Sequence, residues 1–106
     1  MINKTVNTIN FREANANDRS ALEEMIVAYY LFDHQTINKS NIKSSLDIAL
    51  KKNPHIVIWI IEVKQEIAGY LAVAIGFTIE AGGKDGFLDE LFLKEKYRNQ
   101  GIGRKA

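Results

Sequence analysis

The residues best suited to chemistry lie at the end of the chain, where Arg98-Asn99-Gln100-Gly101-Ile102-Gly103-Arg104-Lys105-Ala106 follows the strand-like run Gly86 to Leu93. Two glycines one residue apart let a backbone turn tightly and point consecutive N–H groups outward at the start of a helix. Unpaired amides and the positive end of the helix dipole coincide there, so such a start attracts phosphate. The side chains reinforce that field, since from Lys94 to Ala106 five Lys or Arg accompany the single acid Glu95. The segment reads as a pyrophosphate cradle.

Other phosphate motifs fit less well. Gly101, Gly103 and Ala106 satisfy the dinucleotide spacing G-x-G-x-x-G/A. That site wants its first glycine close behind a strand, whereas the seven positions Lys94 to Gln100 separate Leu93 from Gly101. The acidic ribose ligand, expected about twenty positions further on, would fall beyond Ala106. A P-loop needs a Lys-Ser/Thr pair, and Gly103 is followed by Arg104, Lys105 and Ala106. His34 and His55 have no acidic or cysteine partners at metal-ligand spacing, so surface or capping roles are expected and no metal site.

Arg98-Asn99-Gln100-Gly101-Ile102-Gly103 fits every fixed position of Arg/Gln-x-x-Gly-x-Gly/Ala, and the segment resembles the acyl-CoA-binding motif of the GNAT N-acetyltransferase superfamily. The match extends backwards through FLDELFLKEKYRNQGIG: an apolar strand, a short charged link, and an aromatic before the arginine. GYLAVAIGFTIEAGGKDGFLDEL is similar to a bacterial branch with a Gly-Gly hairpin before an acidic pair. The resemblance implies acetyl transfer from acetyl-CoA to a primary amine of a small molecule or protein. It assigns the main chain of Leu91, Phe92 and Leu93 to the pantetheine arm, and the amides of Asn99, Gln100, Gly101, Ile102, Gly103 and Arg104 to the pyrophosphate. Arg98 would assist by charge. Peptide-like pantetheine can make ladder hydrogen bonds only where a strand edge is open, so the assignment is physically sound.

An amine nucleophile must lose a proton near neutral pH, and the implied reaction therefore needs a base. Asp89 and Glu90 are the candidates, because they interrupt an apolar strand just before the pantetheine-pairing residues. Simple alternation sends their side chains to opposite faces, so at most one would point at the acetyl group. Asp89 aligns with the family's common glutamate position and Glu90 has the longer reach; both stand. Tyr30, at the end of the first helix, and Glu80, in a hairpin turn, are the candidate acceptor-binding residues. The tyrosine with which this superfamily often protonates the leaving thiolate would lie beyond Ala106. Two other classes compete with the enzyme: a non-catalytic acyl-CoA-binding remnant, and an interaction module pairing through an exposed strand edge.

These residues need a frame. Val6 to Arg12 alternates like a short edge strand, and Asn15 to Asp18 is cap chemistry. Leu22, Met25, Ile26 and Tyr29 predict a helix over Arg19 to Leu31, and a second helix follows over Asn41 to Lys52, capped by Ser40 and separated by Pro54 from what comes next. Ile56 to Val63 is an unbroken β-branched and aromatic run, the mark of a strand covered on both faces. A second strand spans Ile67 to Ile79, where Gly69 and Gly76 suggest bulges, and a Gly82-Gly83 hairpin leads to the strand Gly86 to Leu93. The order is strand, two helices, three antiparallel strands and a helix start, an α+β arrangement. It matches the first half of the GNAT fold, with the second half expected beyond Ala106.

Composition is compatible with one domain over residues 1–106, being 46% apolar with a net charge of +1. That charge gives no global attraction to nucleic acid or membrane, so neither is expected as a partner. Without cysteine the chain has neither disulfide nor thiolate chemistry. The start Met1-Ile2-Asn3-Lys4 lacks a signal-peptide core, and Ile56 to Ile61 is too short to span a bilayer. A cytoplasmic location is expected, with self-association through an exposed strand edge.

Overall fold

The computed structural model describes residues 8–80 and 82–98. Four strands form one antiparallel sheet in the order β1-β2-β3-β4: β1 Ile9–Glu13, β2 Ile56–Val63, β3 Glu66–Thr78 and β4 Gly83–Leu93. Helices α1, Arg19–Phe32, and α2, Lys39–Ala49, lie between β1 and β2 in the chain, and a 3-10 turn Glu95–Tyr97 follows β4. The order matches the sequence expectation. Among the described residues no helix is long and apolar enough to cross a membrane.

Both helices pack on one face of the sheet. Leu22, Met25 and Ile26 of α1 and Ile42 and Leu46 of α2 join Ile58, Ile60, Tyr70, Ala72 and Phe92 in a buried cluster. The opposite face carries a second cluster of Ile61, Val63, Ala68, Leu71 and Tyr97, flanked by half-buried Trp59 and Leu91. β2 sends alternate residues into each cluster, which is why it reads as an unbroken apolar run.

The helix ends are set by polar side chains. Asn15 accepts from the Asn17 amide at 2.8 Å while its own amide donates to Asp18 at 2.8 Å, a capping box on the 3-10 turn Ala16–Asp18 that leads into α1. Buried Asp18 also receives two hydrogen bonds of 2.9 Å from Arg12, whose Nε donates to Glu62 at 2.9 Å, so one guanidinium ties β1, the cap and β2 together. α1 ends in a Schellman motif, with the Gln35 amide donating to the Tyr30 carbonyl at 2.8 Å and that of His34, at φ 56°, to Leu31 at 3.2 Å.

The second helix differs from its expected bounds. Asn38, not Ser40, caps it, accepting from the Asn41 amide at 2.9 Å. It stops at Ala49 because Asn53 turns the chain, donating to the Ile48 carbonyl at 2.9 Å and accepting from the amides of His55 and Ile56. β1 begins at Ile9, and residues 1–7 lie outside the described part.

Two bulges interrupt the ladder. Opposite Ile61 and Glu62 stand Gly69 and Ile67, leaving Ala68 as the extra residue beside one of the expected glycines. Opposite Ala72 and Val73 stand Glu90 and Leu88, so Asp89 is the extra residue in β4. Gly76 is no bulge: it pairs in register with Asp85, and the Phe87 ring occupies the space a Cβ would need. Gly69 is required by close approach, since a Cβ there would collide with the Phe92 carbonyl oxygen.

Candidate active site

Tyr70 stands in the middle of β3 and is almost wholly buried, so its hydroxyl must find a partner inside the protein. That partner is Glu90, across the ladder on β4, whose Oε1 accepts from Tyr70 at 2.6 Å. The second oxygen, Oε2, accepts from Tyr30 on the last full turn of α1, also at 2.6 Å. Both lengths fall in the range of charge-assisted O–H···O⁻ bonds. One carboxylate is thus held by two phenols from two other elements.

The phenols stay protonated. Burial, then the hydrogen bond to Glu90, raises the pKa of both Tyr30 and Tyr70 far above that of a free phenol. Tyr29 is raised too, first by burial and then by the charge of Glu90. Its ring lies 5.7 Å from that of Tyr30 and 6.0 Å from that of Phe92, which itself lies 6.0 Å from the Tyr70 ring. An aromatic layer therefore fixes the χ angles of the phenols.

Beside this arrangement is a cavity of about 130 Å³ between the helices and the sheet. Asp89 and Glu90 both contribute to its lining. The expectation that alternation separates them fails at the bulge, where the extra residue Asp89 breaks the period of two just before Glu90. Asp89 is exposed and Glu90 half-buried, and the charge of Asp89 contributes to raising both Tyr29 and Tyr30.

β4 pairs only with β3 among the described strands, so its outer edge, Leu91 to Leu93 included, faces no protein strand there. Phe92 points to the helix cluster, while Leu91 and Leu93 pack on the other face. Arg98 is turned inward, donating from Nε to the Leu93 carbonyl at 2.8 Å, with its guanidinium 4.8 Å from the Phe32 ring and 5.6 Å from that of Phe92. Asn99, Gln100, Gly101, Ile102, Gly103 and Arg104 lie outside the described residues.

The candidate acceptor residues separate. Tyr30 meets Glu90, whereas Glu80 is in the hairpin beyond the Thr78–Gly83 pair, six rungs or about 20 Å along the ladder from the Ala72–Glu90 pair. Sequence reasoning missed Tyr70. Its signal was a lone polar tip in the apolar stretch Ile67 to Ile75, where a buried hydroxyl demands an acceptor.

Comparison with known proteins agrees with this layout. Among solved structures, an integron cassette protein from the mobile metagenome of Cole Harbour Salt Marsh superposes with a TM-score of 0.79 and 27% identity, covering 88% of this chain and 61% of its own. A possible acetyltransferase from Clostridium difficile 630 gives a TM-score of 0.79 at 12% identity, over 92% of this chain and 64% of its own. A predicted acetyltransferase with acetyl-CoA from Clostridium acetobutylicum gives 0.74 at 20% identity, over 92% and 68%. The chain thus spans a little under two thirds of the length of the first two. No curated protein matches it. The model of the Acetyltransferase (GNAT) family matches residues 19–106, and with that coverage the chain belongs to the GNAT acetyltransferase family.

Proposed function

We propose that the protein transfers an acetyl group from acetyl-CoA to an amine, with Glu90 as general base. The observation that carries this reading is the carboxylate of Glu90, held by Tyr30 and Tyr70 at 2.6 Å each, beside a cavity and next to the open edge of β4. Acetyl-CoA supplies an activated thioester and a peptide-like arm suited to strand pairing. Leu91, Phe92 and Leu93 offer the edge for that arm, where Arg98 already occupies one lone pair of the Leu93 carbonyl. The residues from Asn99 to Arg104 would take the pyrophosphate, as the motif implies.

In the transfer the amine nitrogen forms a bond to the acetyl carbon, the carbon–sulfur bond breaks, and the sulfur keeps the electron pair and takes up a proton. Glu90 receives the proton lost by nitrogen, directly or through one water. Two phenol bonds occupy two of its roughly four lone-pair positions and leave the others for that proton. Asp89, exposed at the bulge, attracts a cationic amine by charge.

The test is release of CoA thiol from acetyl-CoA with a panel of amines. Glu90→Gln should lower kcat about 10²- to 10⁴-fold, the usual contribution of a positioned base, with the CoA dissociation constant unchanged. Equal turnover by the variant would remove Glu90 from the role.

The uncovered edge of β4 supports a second proposal, that two copies associate through it. Phe77, Ile79 and Leu88 on the β3–β4 hairpin arm are 74%, 93% and 63% exposed, an apolar surface continuous with the edge.

A further inference from the structure

The cavity beside Glu90 has a hydrogen-bonding character that selects its ligand. Tyr30 and Tyr70 each have one hydroxyl proton, and both protons are committed to Glu90. Their remaining lone pairs only accept. The carboxylates of Asp89 and Glu90 accept as well, and no Lys or Arg lines the cavity among the described residues. Ser45 supplies the one other hydroxyl, a rotor that donates or accepts as required. The walls are apolar: Ile26, Leu46, Ala49, Ile58 and Ala72.

A ligand must therefore bring hydrogen-bond donors and positive charge to the acidic side and nothing polar to the walls. An ammonium has three donors and no acceptor. A polyhydroxylated amine has the charge but would leave hydroxyls unpaired against the apolar walls. Size limits the rest, because 130 Å³ is slightly less than a cavity that holds benzene, leaving room for an arm of about four or five carbons. We infer that the acceptor is a primary amine on a short, unsubstituted aliphatic arm, with Tyr30 and Tyr70 setting this specificity by directing both their protons at Glu90. The inference rests on the acetyl-transfer reading for calling the bound amine an acceptor.

The probe is a series of n-alkylammonium ions from ethyl to octyl, titrated into the unmodified chain without acetyl-CoA while the Tyr30 and Tyr70 ring signals are followed by NMR. Affinity should rise about fourfold per added methylene up to butyl or pentyl and then level off, as the cavity fills. Ala49→Leu, which adds three carbons to the wall, should move the plateau to a shorter chain and weaken pentylammonium at least tenfold. Should that variant fail to fold, the plateau in the native chain decides alone. Glucosamine binding as tightly as butylammonium would overturn the inference. So would an affinity that climbs unbroken to octyl, or ring signals that no alkylammonium moves. Thiol release with hydroxylated amines and none with alkylamines would overturn it while leaving acetyl transfer intact. A clear plateau without thiol release from any amine would keep the amine site and remove the transfer reading instead.

Discussion

Arg12 shows what a single side chain contributes here, since its three hydrogen bonds to Asp18 and Glu62 join two strands and a helix cap. The hydrogen bond from Arg12 holds both carboxyls below their ordinary pKa values of 3.8 and 4.5. Both groups therefore bind protons less readily in the folded chain than in the unfolded one. The stability this provides is full above about pH 5.5 and is lost as pH falls through 4.5 and 3.8 towards the depressed folded values. Arg12→Met should cost about 2–3 kcal/mol at pH 7, mostly by leaving the buried Asp18 carboxylate with the Asn15 amide but without its counter-charge. It should also flatten the dependence of melting temperature on pH between 5 and 3; a variant melting with an unaltered acid slope would contradict the assignment. At the site, Tyr70→Phe should retain the fold but free one oxygen of Glu90. Thiol release should then fall while the melting temperature stays close to that of the native chain, and undiminished thiol release would remove Tyr70 from the site.

Elements differ in how far their residues announce them. β2 was legible to the residue because burial on both faces requires apolar side chains at every step, and Ile56 to Val63 supplies them. α1 was legible from Leu22, Met25 and Ile26, apart from one residue at its end. The cap of α2 was not: Asn38 and Ser40 are both good caps, and only the geometry of the entering chain chooses between them. The Asp89 bulge was hidden for a different reason. In Phe87-Leu88-Asp89-Glu90-Leu91-Phe92-Leu93 either phase of alternation places apolar residues on each face, so periodicity carries no preference. Tyr70 and Glu90 are 20 positions apart, and their meeting depends on a register that this ambiguity conceals. The β2–β3 turn makes a prediction at this scale. Lys64 and Gln65 have φ of 53° and 70°, the type I′ conformation that Asn-Gly adopts at lower cost. The double variant Lys64→Asn, Gln65→Gly should raise stability by about 1 kcal/mol in denaturant titration, with an unchanged m-value. A loss of stability would mean that the lysine and glutamine side chains have contacts worth more than the backbone strain.

On the scale of the whole molecule, one sheet separates two apolar clusters, and only one of them lies under helices of the described chain. The second includes Ala68, Leu71 and Tyr97, the last pinned by its hydroxyl to Glu66 at 3.0 Å. With β4 unpaired outward among the described strands and Phe77, Ile79 and Leu88 exposed there, light scattering on the 106-residue chain at micromolar concentration should report a dimer, and Leu88→Lys should shift it towards monomer. A concentration-independent monomer would refute edge association. The bulge at Asp89 has one more consequence, visible in how such a gene can change. Leu88 and Leu91 pair with Val73 and Leu71 and so share a face although three positions separate them. Asp89 is thus a half-step in the phase of the strand, and any replacement there preserves the count. Losing its codon would change the count but not the faces: Leu88 and Glu90 would become neighbours, and they already pair with the neighbours Val73 and Ala72, so every side chain would keep its side while the bulge itself was lost. The sheet thus tolerates either length of β4, and what the extra residue adds is the Asp89 carboxylate at the cavity.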